Sequence, residues 1–406
     1  MEIIMWWWQG TVYFIHTQTL FVMLRAPCLK VRLAKLLLNH IFETNTLNKQ
    51  VAKNLSFSNG HTPFTLELKK KVEAYFTENK IKPTGTWKLY SKTLLLCGFA
   101  VFTYVILLSG IAPSWVNVIF CVLMGLNFAA IGFNVMHDGA HGSYSSKKWV
   151  NDLMSYSLNA LGGSSFLWKV KHNVMHHAYT NIEGHDDDID IKPLIRTNTH
   201  QPRYWYHSYQ HIYSFVLYTT TYIIWIAFRD FSKYFSGKVS NRKFAKMKTY
   251  EHIGFWSSKV LYALLFLVIP ITLVGWAHAL IGYLIICGVC GLVLSIVFQL
   301  AHVVEDSDFP VPDEDSHKIE SNWFVHQLST TANFATKSKL VSWFVGGLNF
   351  QVEHHLFPKI SHIHYPAINK LVKELCAKYD VKYIEYPTVF RAIRAHVSHL
   401  RIVGSA

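Results

Sequence analysis

Four apolar runs, each within the roughly 17 to 25 residues that a bilayer crossing takes, constrain this chain more than anything else in it. They are Thr93 to Ala112, Val116 to Met136, Val260 to Ala277 and Ala279 to Leu300. They group as two hairpins, joined around Pro113 and around Trp276 to His278, and neither link carries a Lys or Arg. Basic residues concentrate on the cytoplasmic side of a membrane protein, so both links face away from the cytoplasm and the basic segments lie inside. The excess of 39 Lys and Arg over 25 Asp and Glu is then a signal of topology. It points to membrane lipids and not to nucleic acid. Only 16% of the 406 residues are charged and 51% are hydrophobic, against about 25% charged in a soluble domain.

A fifth apolar run, Ile212 to Phe228, is shorter, rich in Tyr and Thr, and flanked by charge. Were it to span, everything after it would change sides, so it reads as an interfacial helix. Residues 1–55 form an N-terminal extension of uncertain status, apolar at first and then basic: an extra span, an interfacial anchor, or translation from an upstream start. A secretory signal is disfavoured because the basic residues follow the apolar run. Residues 56–92 read as a polar, helix-prone cytoplasmic arm, 93–383 as the membrane domain and 384–406 as a C-terminal tail. Six cysteines show no framework spacing. Cys287 and Cys290 sit mid-span, where small residues serve helix packing and no tetrahedral ligand set is completed.

The spans lead into clusters of histidine. His137 and His141 in HDGAH are four apart, which stacks both rings on one helical face. HNVMHH repeats this with His172, His176 and the adjacent His177; QVEHH supplies His354 and His355; His302 follows the fourth span in FQLAHVVE. Counting spans brings all eight out on one side. Imidazole suits iron, copper, zinc and nickel, and eight imidazoles exceed what one ion can hold, so two metals are the simplest reading. The Glu-x-x-His pattern of soluble di-iron bundles is absent from these clusters. Glu353, one residue from His354, points elsewhere. Other histidines, such as His200, His207, His252 and His278, read as capping or interfacial residues. The expected fold is an all-α integral membrane protein: four transmembrane helices in two hairpins under a cytoplasmic helical cap that carries the di-metal site.

HDGAH, HNVMHH and QVEHH resemble the three histidine boxes of membrane-bound fatty acid desaturases, and the likeness extends over roughly Ser56 to Tyr383. It implies a non-haem di-iron centre held by His137, His141, His172, His176, His177, His302, His354 and His355, with O2 as co-substrate. Two hydrogens leave an acyl chain, carried by CoA or by a lipid, and two waters are released. Gln351 stands where many acyl-CoA desaturases have a histidine, and glutamine there resembles the front-end, linoleoyl-CoA-type group. No fused cytochrome b5 motif occurs in the chain, so electrons are expected from a separate cytochrome b5 or ferredoxin-type donor.

Acceptors beside the boxes should fix the tautomer of each ring, and Asp138, Asn181, Asp186, Asp188 and Asp190, with Gln351, are the candidates. Trp168, Trp323 and Phe350 are candidates to line an acyl route; Lys169, Lys171 and Arg203 are candidates to meet a phosphate. Two rival readings remain at this point. One is a hydroxylase or ketolase of the same histidine-box kind. The other is a metal transporter or haem electron carrier, which would need polar groups or paired histidines inside the spans.

Overall fold

The computed structural model describes residues 55–58, 62–240 and 242–406, together with the backbone of 3–8 and 11–16. The chain divides into two compact units, 1–56 and 57–406. In the first, Ile3–Trp8 and Thr11–His16 pair as an antiparallel hairpin with Ile3 opposite His16. The rest of what was expected for residues 1–55 falls mostly outside the described residues.

The second unit is predominantly helical. It opens with α1 (Pro63–Glu78), which starts where Thr62 accepts from the Thr65 amide at 3.3 Å and Pro63 occupies the first turn. Proline is suited there because its missing N–H has no helical partner anyway. The α1 side chains Phe64, Leu68 and Val72 are buried in one cluster with Ile368, Val372 and Leu375 of a later helix, α10 (Tyr365–Tyr379). At about 1.5–3 kcal/mol for each buried side chain of this size, that contact holds the arm to the cap.

Five helices are long and apolar enough to cross a membrane: α2 (Trp87–Ser109), α3 (Ser114–His141), α5 (Trp205–Ser236), α6 (Thr249–Val274) and α7 (Trp276–His302). Four of them carry the four runs read from the sequence. The second link is tighter than expected, because α6 gives way to α7 at Gly275 alone, with φ +82° and ψ 153°. Only glycine adopts that conformation cheaply, so a single residue reverses the chain. Side chains such as Leu94, Val101, Phe102, Val260, Leu273 and Leu284 face outward on these helices, and lipid is the surrounding in which such exposure is favourable.

The fifth apolar run is the middle of α5, a helix of 32 residues and so about 48 Å long. Both of its ends are held by one loop. Near its start, Tyr213 donates to Leu194 O at 2.7 Å and the Arg196 amide donates to Gln210 Oε1 at 2.8 Å. Near its end, Arg229 donates to Asp190 O at 3.3 Å and Lys233 pairs with Asp187. Between these points α5 crosses α7 closely: a Cβ on Gly291 would lie 2.9 Å from Tyr218 O and 3.0 Å from both Thr219 O and Tyr222 N. Lys259 of α6 also reaches α5, donating to Ile226 O at 2.9 Å and Asp230 at 2.8 Å, so this buried cation is neutralised.

Beyond α7 the chain forms α8 (Trp323–Thr330), α9 (Gln351–Leu356), α10 and α11 (Val389–Ser405). Strand Ala332–Phe334 pairs in parallel with Ile384–Tyr386. Residues 384–406 are therefore packed into the second unit, with Ala392, Ala395, Leu400 and Val403 buried. Arg196 fastens the end of α11 by donating to Val403 O at 2.7 Å.

The α5–α7 crossing yields a test. Gly291→Val forces backbone apart, and overpacking of this kind costs about 1–3 kcal/mol; the thermal midpoint of the purified protein in detergent should fall by several degrees. Gly254→Ala, where no atom lies within 4 Å of the added Cβ, should leave it unchanged or slightly raised.

Candidate metal centre

Each histidine cluster sits at the end of a helix or in an altered turn. The last turns of α3 contain a π-helical segment, Gly132–Met136, immediately before His137–His141. Asn134 within it donates to Ala130 O at 2.8 Å and to Phe344 O at 2.9 Å, tying this turn to the segment before α9. The second cluster lies on α4 (Ser165–Lys169), which continues as a π-helix, Val170–His176. The His177 amide bonds to His172 O, five residues back, at 3.1 Å. In a regular α-helix His177 would be rotated about 140° from His172; the wider π turn brings it back, and the His172 and His177 ring centroids are 4.8 Å apart. Spacing alone suggested only the His172–His176 pairing, so the role of the π turn is something sequence periodicity missed.

The eight rings meet in one place. Nitrogens of His137, His141, His172 and His354 lie within 4.8 Å of one another, as do those of His176, His302 and His355, and an overlapping group joins His177 to His354 and His355. Ring centroids are 4.5 Å apart for His137 and His354, 4.6 Å for His176 and His302, and 4.3 Å for His177 and His355. Seven of the eight residues are buried; His141 is half-buried, with a buried Nε2.

For five rings the hydrogen bonding is one-sided, while His177 pairs neither nitrogen among the described residues. His172 Nδ1 lies 2.9 Å from Asp188 Oδ2, and His176 Nδ1 lies 2.9 Å from Asp186 Oδ2. His302 Nδ1 faces Thr330 O at 3.3 Å, His354 Nδ1 faces Tyr365 Oη at 3.0 Å, and His355 Nδ1 faces Gln327 Oε1 at 2.8 Å. On the other edge, Nε2 of His141, His172, His176, His177, His302, His354 and His355 is buried with no hydrogen-bond partner among the described residues. A buried polar atom left unpaired costs about 1–3 kcal/mol, so this set costs on the order of 10 kcal/mol, comparable to the whole stability of a domain. Rings pinned through Nδ1 with Nε2 free are the arrangement in which imidazole binds a metal, and the donor set fits two such ions.

Electrostatics agree. Burial pushes His172, His177, His354 and His355 well below the ordinary imidazole range, which keeps these rings neutral and ready to ligate. Burial acts the same way at His176, but the carboxylates of Asp186 and Asp188 outweigh it and leave the value raised. Burial opposes charge on Asp188 as well, yet Lys171 and His172 hold it well below the usual carboxylate range. Burial lifts Glu353 to about 7; it points away from the rings, toward Asn333 at 2.7 Å and Asn369 at 3.1 Å.

The other candidates from sequence are placed as follows. Asp186 and Asp188 touch His176 and His172. Asn181 touches no ring but bonds to the acceptors behind them. Asp138 accepts from Ser361 at 2.7 Å and from His362 at 3.0 Å, so it joins α3 to the segment after α9 and orients none of the eight rings. Asp190 pairs with Lys192 at 3.0 Å, away from the cluster. Gln351 is buried on the first turn of α9 with Oε1 unpartnered. Lys171 is committed to Asp188, Lys169 faces Asp152 at 3.7 Å, and Arg203 donates to Gly404 O. Trp168 stacks on His172 with centroids 4.4 Å apart, walling off that side, while Trp323 donates to His177 O at 3.2 Å. Phe350 is core. Thr330, Gln327 and Tyr365 were not read from the sequence, and nothing in their spacing announces them.

The fatty acid desaturase family model matches residues 113–387 of the chain. Over 347 residues the chain is 40% identical to an acyl-lipid (8-3)-desaturase of Physcomitrium patens, covering 84% of this chain and 72% of that protein. It is 36% identical to an sn-1 linoleoyl-lipid 6-desaturase of Arthrospira platensis, over 83% of this chain and 92% of the relative. A protein of the same description from Synechocystis sp. is 35% identical over 84% of this chain and 96% of its own length.

The ring environments predict the proton balance of metal uptake. With most rings neutral and only His176 raised, Fe(II) loading of chelator-stripped protein at pH 7 should release at most about one proton per chain. Affinity should weaken as pH falls through the raised value of His176, because its proton must then be displaced. The dependence of binding enthalpy on buffer ionisation measures this, and release of several protons at pH 7 would contradict the assignment.

Proposed function

The chain belongs to the fatty acid desaturase family, an oxidoreductase that places double bonds in acyl chains, and on that footing we propose an O2-dependent, front-end acyl-lipid desaturase with two non-haem irons. The observation that carries this reading is the convergence of His137, His141, His172, His176, His177, His302, His354 and His355 with unpartnered Nε2 atoms on seven of them. A lipid-linked substrate is favoured by the acyl-lipid and linoleoyl-lipid names of the relatives. Gln351, at the start of the third histidine cluster, supports front-end selectivity. Nothing in the site favours oxygenation or metal transport.

The two irons would supply the reduction of O2 and the oxidising power needed at an unactivated C–H bond, chemistry that side chains lack. Two electrons from a cytochrome b5 or ferredoxin-type donor, two protons and the two hydrogens taken from adjacent carbons account for two waters. The protein's part is binding and orientation. Asp186, Asp188, Thr330, Tyr365 and Gln327 hold five rings by their Nδ1 edges. Neutral imidazoles keep the ligand set uncharged, and Asp188 with Lys171 balances charge beside it. Trp168 covers His172, which excludes water on that side.

Four spans are the topology that fits this site, with α2, α3, α6 and α7 crossing and α5 lying along the cytoplasmic face. The support is that α5 is tied at both ends to residues 187–196, and that the eight histidines converge after an even number of crossings. Exposed Trp115 and Trp276 beside the two short links, and Trp87, Trp149, Trp205 and Trp256 elsewhere, suit two interfacial aromatic belts.

Expression in a host with a defined acyl supply tests the function. Lipid-bound fatty acids should gain a double bond on the carboxyl side of an existing one, and His176→Ala should abolish it while the protein still folds. Hydroxylated chains without new unsaturation would overturn the reading. Cysteines introduced at Ile111 and Ala277 should label from the side opposite to one at Lys246; labelling of all three from one side would overturn the four-span topology.

A further inference from the structure

Thr180 and Asn181 follow the second histidine cluster and contain no side chain that would itself ligate here, yet both are buried and between them they bond behind three rings. Asn181 adopts φ +59°, a left-handed conformation that asparagine tolerates better than most residues. Its amide donates to Asp186 Oδ2 at 3.0 Å, the oxygen that also faces His176 Nδ1. Its side-chain Nδ2 donates to His302 O at 2.9 Å and to Thr330 O at 3.3 Å, and the latter carbonyl is the one that faces His302 Nδ1. A third contact, to Asp308 O at 3.1 Å, anchors the loop after α7.

Thr180 does the same for the remaining ring. Its Oγ1 lies 3.0 Å from Gln327 Oε1 and 3.3 Å from His355 Nδ1, while Gln327 Oε1 faces His355 Nδ1 at 2.8 Å. The hydroxyl also reaches His176 O at 2.8 Å. One dipeptide thus sets the partners of His176, His302 and His355, three rings from α4, α7 and α9. These are the three whose nitrogens form the second group. The first group is oriented elsewhere: His172 by Asp188 and His354 by Tyr365. The dipeptide's network reaches it through the Asp188 amide, which donates to Asp186 Oδ1 at 3.0 Å, and through the His176 ring, which stacks on His172 with centroids 4.9 Å apart.

We propose that Thr180 and Asn181 are positioning residues for one metal position of the two, the one bounded by His176, His302 and His355, and leave the other intact when removed. The proposal rests on the two-iron reading above. Loss of a partner behind a ligand typically weakens metal affinity about 10–100-fold, enough to empty one position during purification.

The test is iron per chain, by elemental analysis of the full-length protein in detergent, with folding checked by size exclusion. Asn181→Gly keeps the left-handed backbone and removes the three carbonyl contacts; iron should drop about two-fold. Adding His302→Ala to it should cost no further iron, whereas adding His137→Ala should. Thr180→Val should show a partial loss that Thr180→Ser restores, and this pair carries the test if Asn181→Gly does not fold. Variants that keep the full iron content, or that lose all of it, overturn the proposal. Wild-type protein that holds no iron pair would instead overturn the two-iron reading itself.

Discussion

The structure depends on holding eight imidazoles together, in a space sheltered from water, with one nitrogen of nearly every ring left unpaired. That state is costly, on the order of 10 kcal/mol before any ligand is considered, and it holds its geometry where the opposite edge of a ring is fixed. Acceptors behind five rings do this: two carboxylates, a main-chain carbonyl, a phenol and an amide. Much of the cap exists to put those acceptors in place. The buried amides and hydroxyls around α8 and α9 are part of the same network.

The apolar helices serve this centre by setting depth. α3 and α7 deliver His137, His141 and His302 at their ends, so three ligands inherit positions from helices whose placement is governed by burial against lipid and against each other. α5 braces α7 about 16 Å before His302, taking eleven residues at the helical rise, through a contact so close that Gly291 is needed. Lys259 and Asp230 tie α6 to α5, so three of the apolar helices are joined through it.

A large part of this was legible in the sequence. Seven of the eight converging histidines lie in three short clusters and His302 follows the fourth apolar run, and apolar length and histidine spacing are both local properties. Asp186 and Asp188 were legible because they stand within sixteen residues of the rings they face. Asp138 and Asp190 sit equally close to a cluster, but helix phase and chain reversal turn them to His362 and Lys192. Nearness along the chain carries no information about direction once a turn intervenes. Gln327 escaped because its partner lies 28 residues away; Tyr365, though only 11 residues from His354, escaped because the loop between them has no period.

By itself, the sequence determined the class of the protein, the clusters that meet and the kind of atom they offer, because hydropathy and spacing act over one or two helical turns. Tertiary structure alone decided which ring faces which acceptor, that a π turn aligns His177 with His172, that Gly275 reverses the chain, and that Thr180 and Asn181 together sit behind three of the rings. Those relations join segments up to 175 residues apart, and their geometry is settled only when burial forces every polar edge to find a partner.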